Sequence, residues 1–143
     1  MSELPDTASA AADGLELTVQ VRRTVMGVRL TNRSDEPLRV YFAAAGPNGQ
    51  HHDHLRAALL SEAGARTLRF TGDRNASTIG LEALAPGEHV ADELDLATWA
   101  LDPINGSEPL AAGAFALTVT YSVNQPGAWA GSLSAGPVRL TVD

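Results

Sequence analysis

The chain has 143 residues, 44% of them hydrophobic and 19% charged, which is the composition of one globular domain and not of a disordered segment. A net charge of −7 argues against nucleic-acid backbones and anionic membrane surfaces as partners, and no run approaches the roughly 20 apolar residues of a membrane span. Cysteine is absent, which removes disulfides, thiol nucleophiles and cysteine metal sites together and, with no secretory signal, points to the cytoplasm.

Residues 1–14 (MSELPDTASAAADG) read as a flexible leader, leaving 15–143 as a single domain. The dominant rhythm after that is period two, the mark of half-buried strands. Leu15, Leu17, Val19 and Val21 alternate with Glu16, Thr18, Gln20 and Arg22. Val28 and Leu30 continue the pattern up to the turn Asn32–Pro37, and Leu38, Val40 and Phe42 make a third strand closed by Gly46-Pro47-Asn48-Gly49. The stretch from Leu55 to Gly72 is open to two readings: a helix over Leu55–Ala63, or a hairpin turning at Glu62–Ala65. Ile79, Leu81 and Ala83 form a short strand ahead of the turn Leu84-Ala85-Pro86-Gly87-Glu88, and Val90 to Leu96 extends beyond it. A longer connection follows, with room for one helical turn at Leu96–Leu101. Phe115, Leu117, Val119 and Tyr121 mark a long strand, and Val138, Leu140 and Val142 mark the last. Seven to nine strands at this spacing predict an all-β antiparallel sandwich or barrel.

Three stretches carry a family resemblance: the corner Leu30-Thr31-Asn32-Arg33-Ser34-Asp35-Glu36-Pro37-Leu38, the segment Leu59–Gly72, and Leu84-Ala85-Pro86-Gly87-Glu88 with Asp95-Leu96 and Gly113-Ala114-Phe115. Their order resembles the immunoglobulin-like β-sandwich preceding the catalytic domain of peptidyl-Lys metalloendopeptidases, and the bacterial intracellular proteinase inhibitor family. The resemblance implies an immunoglobulin-like sandwich, favours the hairpin over the helix at Leu55–Gly72, and implies a domain that sits against another polypeptide. No HExxH zinc signature occurs, so protease activity is not implied, and no inhibitory residue can be transferred.

The one dense polar cluster is His51-His52-Asp53-His54; His89 is the fourth histidine. Extended backbone places His52 and His54 on one side, where with His89 they would make a zinc or copper site, against the alternative of a solvated loop. Asp92 and Glu93 read as strand-edge acids whose charges discourage aggregation. Nucleophile elbows and phosphate loops are absent, and Asn32, Asn75 and Asn105, each two residues before a Ser, read as turn chemistry. Trp129, Tyr41 and Arg39 are the anchor candidates, since Trp, Tyr and Arg dominate binding hot spots; Trp129 fits an exposed anchor or a core ring equally, and Trp99 fits the core. The expectation is a non-catalytic module that binds an extended peptide or protein segment at a sheet edge through Trp129, Tyr41, Arg39, Asp92 and Glu93, with no cofactor required. The alternatives are the histidine metal site and a homo-oligomer formed through a sheet edge. The acidic balance favours a partner segment carrying Lys or Arg.

Overall fold

The computed structural model describes residues 4–42, 52–70 and 81–143. Among these, ten strands appear: β1 (Thr7–Ala12), β2 (Leu15–Arg22), β3 (Val25–Asn32), β4 (Leu38–Tyr41), β5 (Leu55–Ser61), β6 (Gly64–Arg69), β7 (Leu81–Leu84), β8 (His89–Asp95), β9 (Gly113–Val123) and β10 (Gly131–Val142). One short helix, α1 (Leu96–Leu101), and a 3-10 turn (Pro103–Asn105) lie between β8 and β9. The class is all-β, and every strand pairing is antiparallel. A first sheet runs β1-β2-β3-β8, a second runs β10-β9-β5-β6, and β4 pairs with β7.

Within the stretch expected to be a leader, Thr7–Ala12 is a strand. Asp13 and Gly14 both take positive φ (51° and 84°), the requirement of the tightest hairpin turn, and Ala12 pairs with Leu15 across it. Gly14 is needed twice, because a Cβ there would stand 2.8 Å from Ser34 Cβ. This hairpin adds β1 to the strands read from the sequence, and the described residues hold ten strands where seven to nine were expected. Over Leu55–Arg69, the described part of the stretch read two ways, the hairpin is the form adopted, with Ser61 opposite Gly64. The final strand is a single element whose register shifts between Ala135 and Val138, where Pro137 has no amide to donate.

Period-two alternation buries one face of each sheet. Leu15, Leu17 and Val19 of β2, Met26, Val28 and Leu30 of β3, Leu55, Ala57 and Leu59 of β5, and Leu117, Val119 and Tyr121 of β9 join one continuous apolar cluster. The Asn32 corner and the Pro86-Gly87 turn prove to be one unit. Asn32 is fully buried; its Nδ2 donates to the carbonyls of Glu36 (2.7 Å) and Leu84 (2.9 Å), and its Oδ1 accepts from the Ser34 amide and hydroxyl. Its backbone accepts from Gly87 N and donates to Glu88 O. A buried amide with this many partners ties three segments together where one apolar residue could tie none.

The outer edge of β6 is covered. The Asn105 side chain accepts from Arg69 N (2.8 Å) and donates to Arg69 O and Trp99 O (both 2.9 Å), so a side-chain amide takes the place of a fifth strand. Helix α1 is capped by Asp95, whose carboxylate accepts from Ala97 N, and it buries Leu96, Trp99 and Ala100.

Candidate functional site

The residues expected to form one binding site are distributed over three places. Asp92 is not a solvated edge acid. In β8 it lies opposite the buried Val28, and its Oδ2 stands 2.8 Å from His52 Nε2, with side chains only 7% and 1% exposed. A carboxylate can only accept, so Nε2 carries the proton of this bond. The other carboxylate oxygen accepts from Glu93 N (2.9 Å). The imidazole packs edge-on against Phe42 (4.7 Å) and Phe70 (5.7 Å). The pair is therefore an internal polar clasp between β8 and the segment entering β5, shielded from solvent.

Trp129 is likewise interior, 7% exposed, and its amide donates to Arg39 O at 2.7 Å. Its ring lies 6.0 Å from that of Tyr121, and a Cβ on Gly131 would come within 3.0 Å of it. Among the described residues its indole Nε1–H has no partner. Trp129 is thus a core ring and not an exposed anchor. Tyr41 is half-buried: its ring sits 5.1 Å from that of His54 and its carbonyl accepts from Tyr121 OH (2.9 Å). Burial raises the Tyr121 pKa well above the ordinary tyrosine range, the bond to Tyr41 opposing it. Arg39 is exposed on β4.

The three histidines proposed as ligands do not converge. His52 faces Asp92, His54 rests against Tyr41 and Tyr121, and His89 is exposed on β8. Among the described residues no three His, Cys, Asp or Glu side chains form a group able to hold a metal ion. His51 and the Gly46–Gly49 turn lie outside the described residues.

What the fold does build is a groove of about 760 Å³ on the outer face of the first sheet, lined by β2, β3 and β8. Register sets its shape. Gln20 of β2, Gly27 of β3 and Glu93 of β8 stand in one row, with Thr18, Arg29 and Ala91 in the next. Gly27 and Ala91 leave the floor low, while Gln20, Arg22, Arg29 and Glu93 make the walls. Arg22 and Glu93 reach toward each other to 3.8 Å, both largely exposed (85% and 70%). Such a pair is weak and exchangeable. Of the expected residues only Glu93 presents its side chain here. The rest were missed, although a glycine inside the strand pattern Val25-Met26-Gly27-Val28 is the signal of a close approach.

Beside this groove, β8 is the last strand of its sheet among the described residues. The bonds Leu96 N to Thr24 O and Asn32 N to Glu88 O fix the alternation, so the backbone groups of His89, Ala91, Glu93 and Asp95 turn away from β3. One of them, the Glu93 amide, is already taken by Asp92. No helix among the described residues is long and apolar enough to cross a membrane. Comparison with known proteins returned no match among family models, curated proteins or solved structures.

Proposed function

We propose that the chain is a non-catalytic binding module, immunoglobulin-like in architecture, that holds an extended segment of a peptide or protein along β8 with one side chain seated in the groove over Gly27. In this reading it acts as the resemblance to proteinase inhibitors and to the metalloendopeptidase N-terminal domain implies: it sits against another polypeptide. The observation that carries the reading is the groove itself, a low polar trough beside a terminal strand with outward-turned backbone groups. Extended ligands use this combination, main-chain bonds supplying affinity and side-chain pockets supplying specificity. Glu93 lines the trough on the β8 side and can pair with a Lys or Arg of the bound segment. Glu93 exchanges its weak pairing with Arg22 for the ligand, so binding weakens as salt rises.

Gly27 provides the test. Its backbone is not in the left-handed region, and a Cβ there meets only Gln20 O at 3.5 Å, an ordinary contact. Gly27→Tyr therefore fills the groove without straining the fold. Titration of labelled ten-residue peptides containing Lys or Arg, and of candidate proteases, is expected to show saturable binding that falls at least tenfold in Gly27→Tyr. Absence of saturable binding to any of them, or binding indifferent to Gly27→Tyr, overturns the reading.

A further inference from the structure

We propose that the outer face of the second sheet is a separate docking surface for an acidic polypeptide, engaged through Arg56, Arg69 and Arg139 around the exposed Leu60. The charge distribution is the first argument. The chain has 17 Asp and Glu against 10 basic residues. Yet the outward positions of β6, β5, β9 and β10 hold only Ala, Thr, Ser, Gly, Pro, one Leu and these three Arg, with no acidic residue. Acids have been kept from one face of an acidic protein.

Register gives that face a defined layout. One row across the four strands runs Ala65, Leu60, Ala116, Arg139. A second runs Arg69, Arg56, Thr120, Ser134, four residues further along β5 and so about 13 Å away. Between them lie the small residues Thr67, Ala58 and Thr118. The result is a low platform with a pair of guanidinium groups in one row and, in the other, Leu60, 59% exposed, on β5 and the third arginine at the far corner on β10.

The second argument is a local cost. Arg56 and Arg69 are directly opposite across adjacent strands, an arrangement that destabilises a sheet. Burial and the Arg69 charge together lower the Arg56 pKa, Asp53 opposing them. Arg56 is nevertheless held in place, its Nη1 donating to the carbonyls of Asp53 (2.8 Å) and Leu55 (3.1 Å). A carboxylate bridging the two guanidinium groups would turn that repulsion into attraction, with the bidentate geometry arginine favours. A second copy of the chain docking by the same face would set Arg against Arg across the two-fold axis. Nucleic acid and anionic lipid recruit denser basic patches than three arginines on a chain of net charge −7. An acidic protein segment with one apolar residue for Leu60 is the occupant that fits.

The test uses the full chain and a twelve-residue Glu-rich peptide containing one Leu, followed by amide chemical shifts. Saturable shifts concentrated on β5, β6 and β9 are expected. Affinity should fall at least tenfold in Arg56→Thr/Arg69→Thr and about threefold in Arg139→Thr, which keeps the question answerable should the double variant fold poorly. Gly27→Tyr should leave the affinity unchanged, which separates this surface from the groove of the first sheet. Absence of saturable shifts on this face, affinity unmoved by both variants, or tighter binding to duplex DNA or to phosphatidylserine vesicles overturns the proposal.

Discussion

His52 and Asp92 are 40 residues apart in the chain and meet at 2.8 Å in a setting walled by two phenylalanine rings. Removing one partner of such a bond leaves the other's polar atom buried, and that penalty exceeds the bond's own net worth. Asp92→Ala is therefore expected to destabilise the fold by about 2 kcal/mol, while Asp92→Asn, whose amide oxygen still accepts from His52, should lose less. Thermal unfolding checks the ranking, and equal losses would show that hydrogen bonding at this clasp contributes little. Tyr121 gives a pH signature. Its pKa is raised in the folded state, so the unfolded chain ionises first as pH climbs past about 10. Above that point the unfolded state binds fewer protons than the folded one, and stability falls with pH. Tyr121→Phe should cost about 1 kcal/mol at neutral pH through loss of the bond to Tyr41 O, then decline less steeply between pH 9.5 and 11.5. Denaturant midpoints across that range measure both effects, and parallel alkaline slopes would refute the second.

At the scale of elements, strands whose apolar residues alternate cleanly were legible, and strands that lack large side chains were not. β2, β3 and β9 announced themselves through Leu, Val and Phe at every second position. β1, with the sequence TASAAA, offers almost no hydrophobic contrast, and its sign was the Asp13-Gly14 turn that closes it against β2. Long-range partnership was hidden for a different reason. Nothing local to Asp92 says that its strand turns it inward onto His52, because facing depends on register with β3, and a one-residue slip would reverse it. The same dependence sends Glu93 outward into the groove. Asn105 shows the limit from the other side: its turn chemistry was readable, but not that the turn delivers a side-chain amide to the free edge of β6. Trp129 was ambiguous because Gly127 and Gly131 fit a loop as well as a tightly packed ring, and the contact at Gly131 resolves it toward the core.

For the molecule as a whole, the segment from Pro5 to Ala12 joins the two sheets. β1 pairs with β2 along its full length, and Val21 N donates to Asp6 O, which extends the first sheet. On the other side Arg139 N of β10 donates to Pro5 O (2.8 Å), reaching the second sheet. Ala8 and Ala10 add modest apolar burial against the shared core. Each of these bonds is worth about 0.5–1.5 kcal/mol net, and ordering the segment costs a comparable entropy, so its contribution to stability is on the order of 1–3 kcal/mol. Deletion through Ala12 should accordingly lower the Tm by several degrees without abolishing the fold. Its larger consequence is exposure. β2 would become a terminal strand eight residues long, with uninterrupted backbone groups and four apolar side chains on its inner face, the form of edge that recruits another chain. Light scattering of the truncated protein is expected to show concentration-dependent association, reversed by adding a synthetic peptide of residues 4–12. A truncated chain that stays monomeric with unchanged Tm would mean that the bridge between the sheets lies elsewhere, in the core contacts alone.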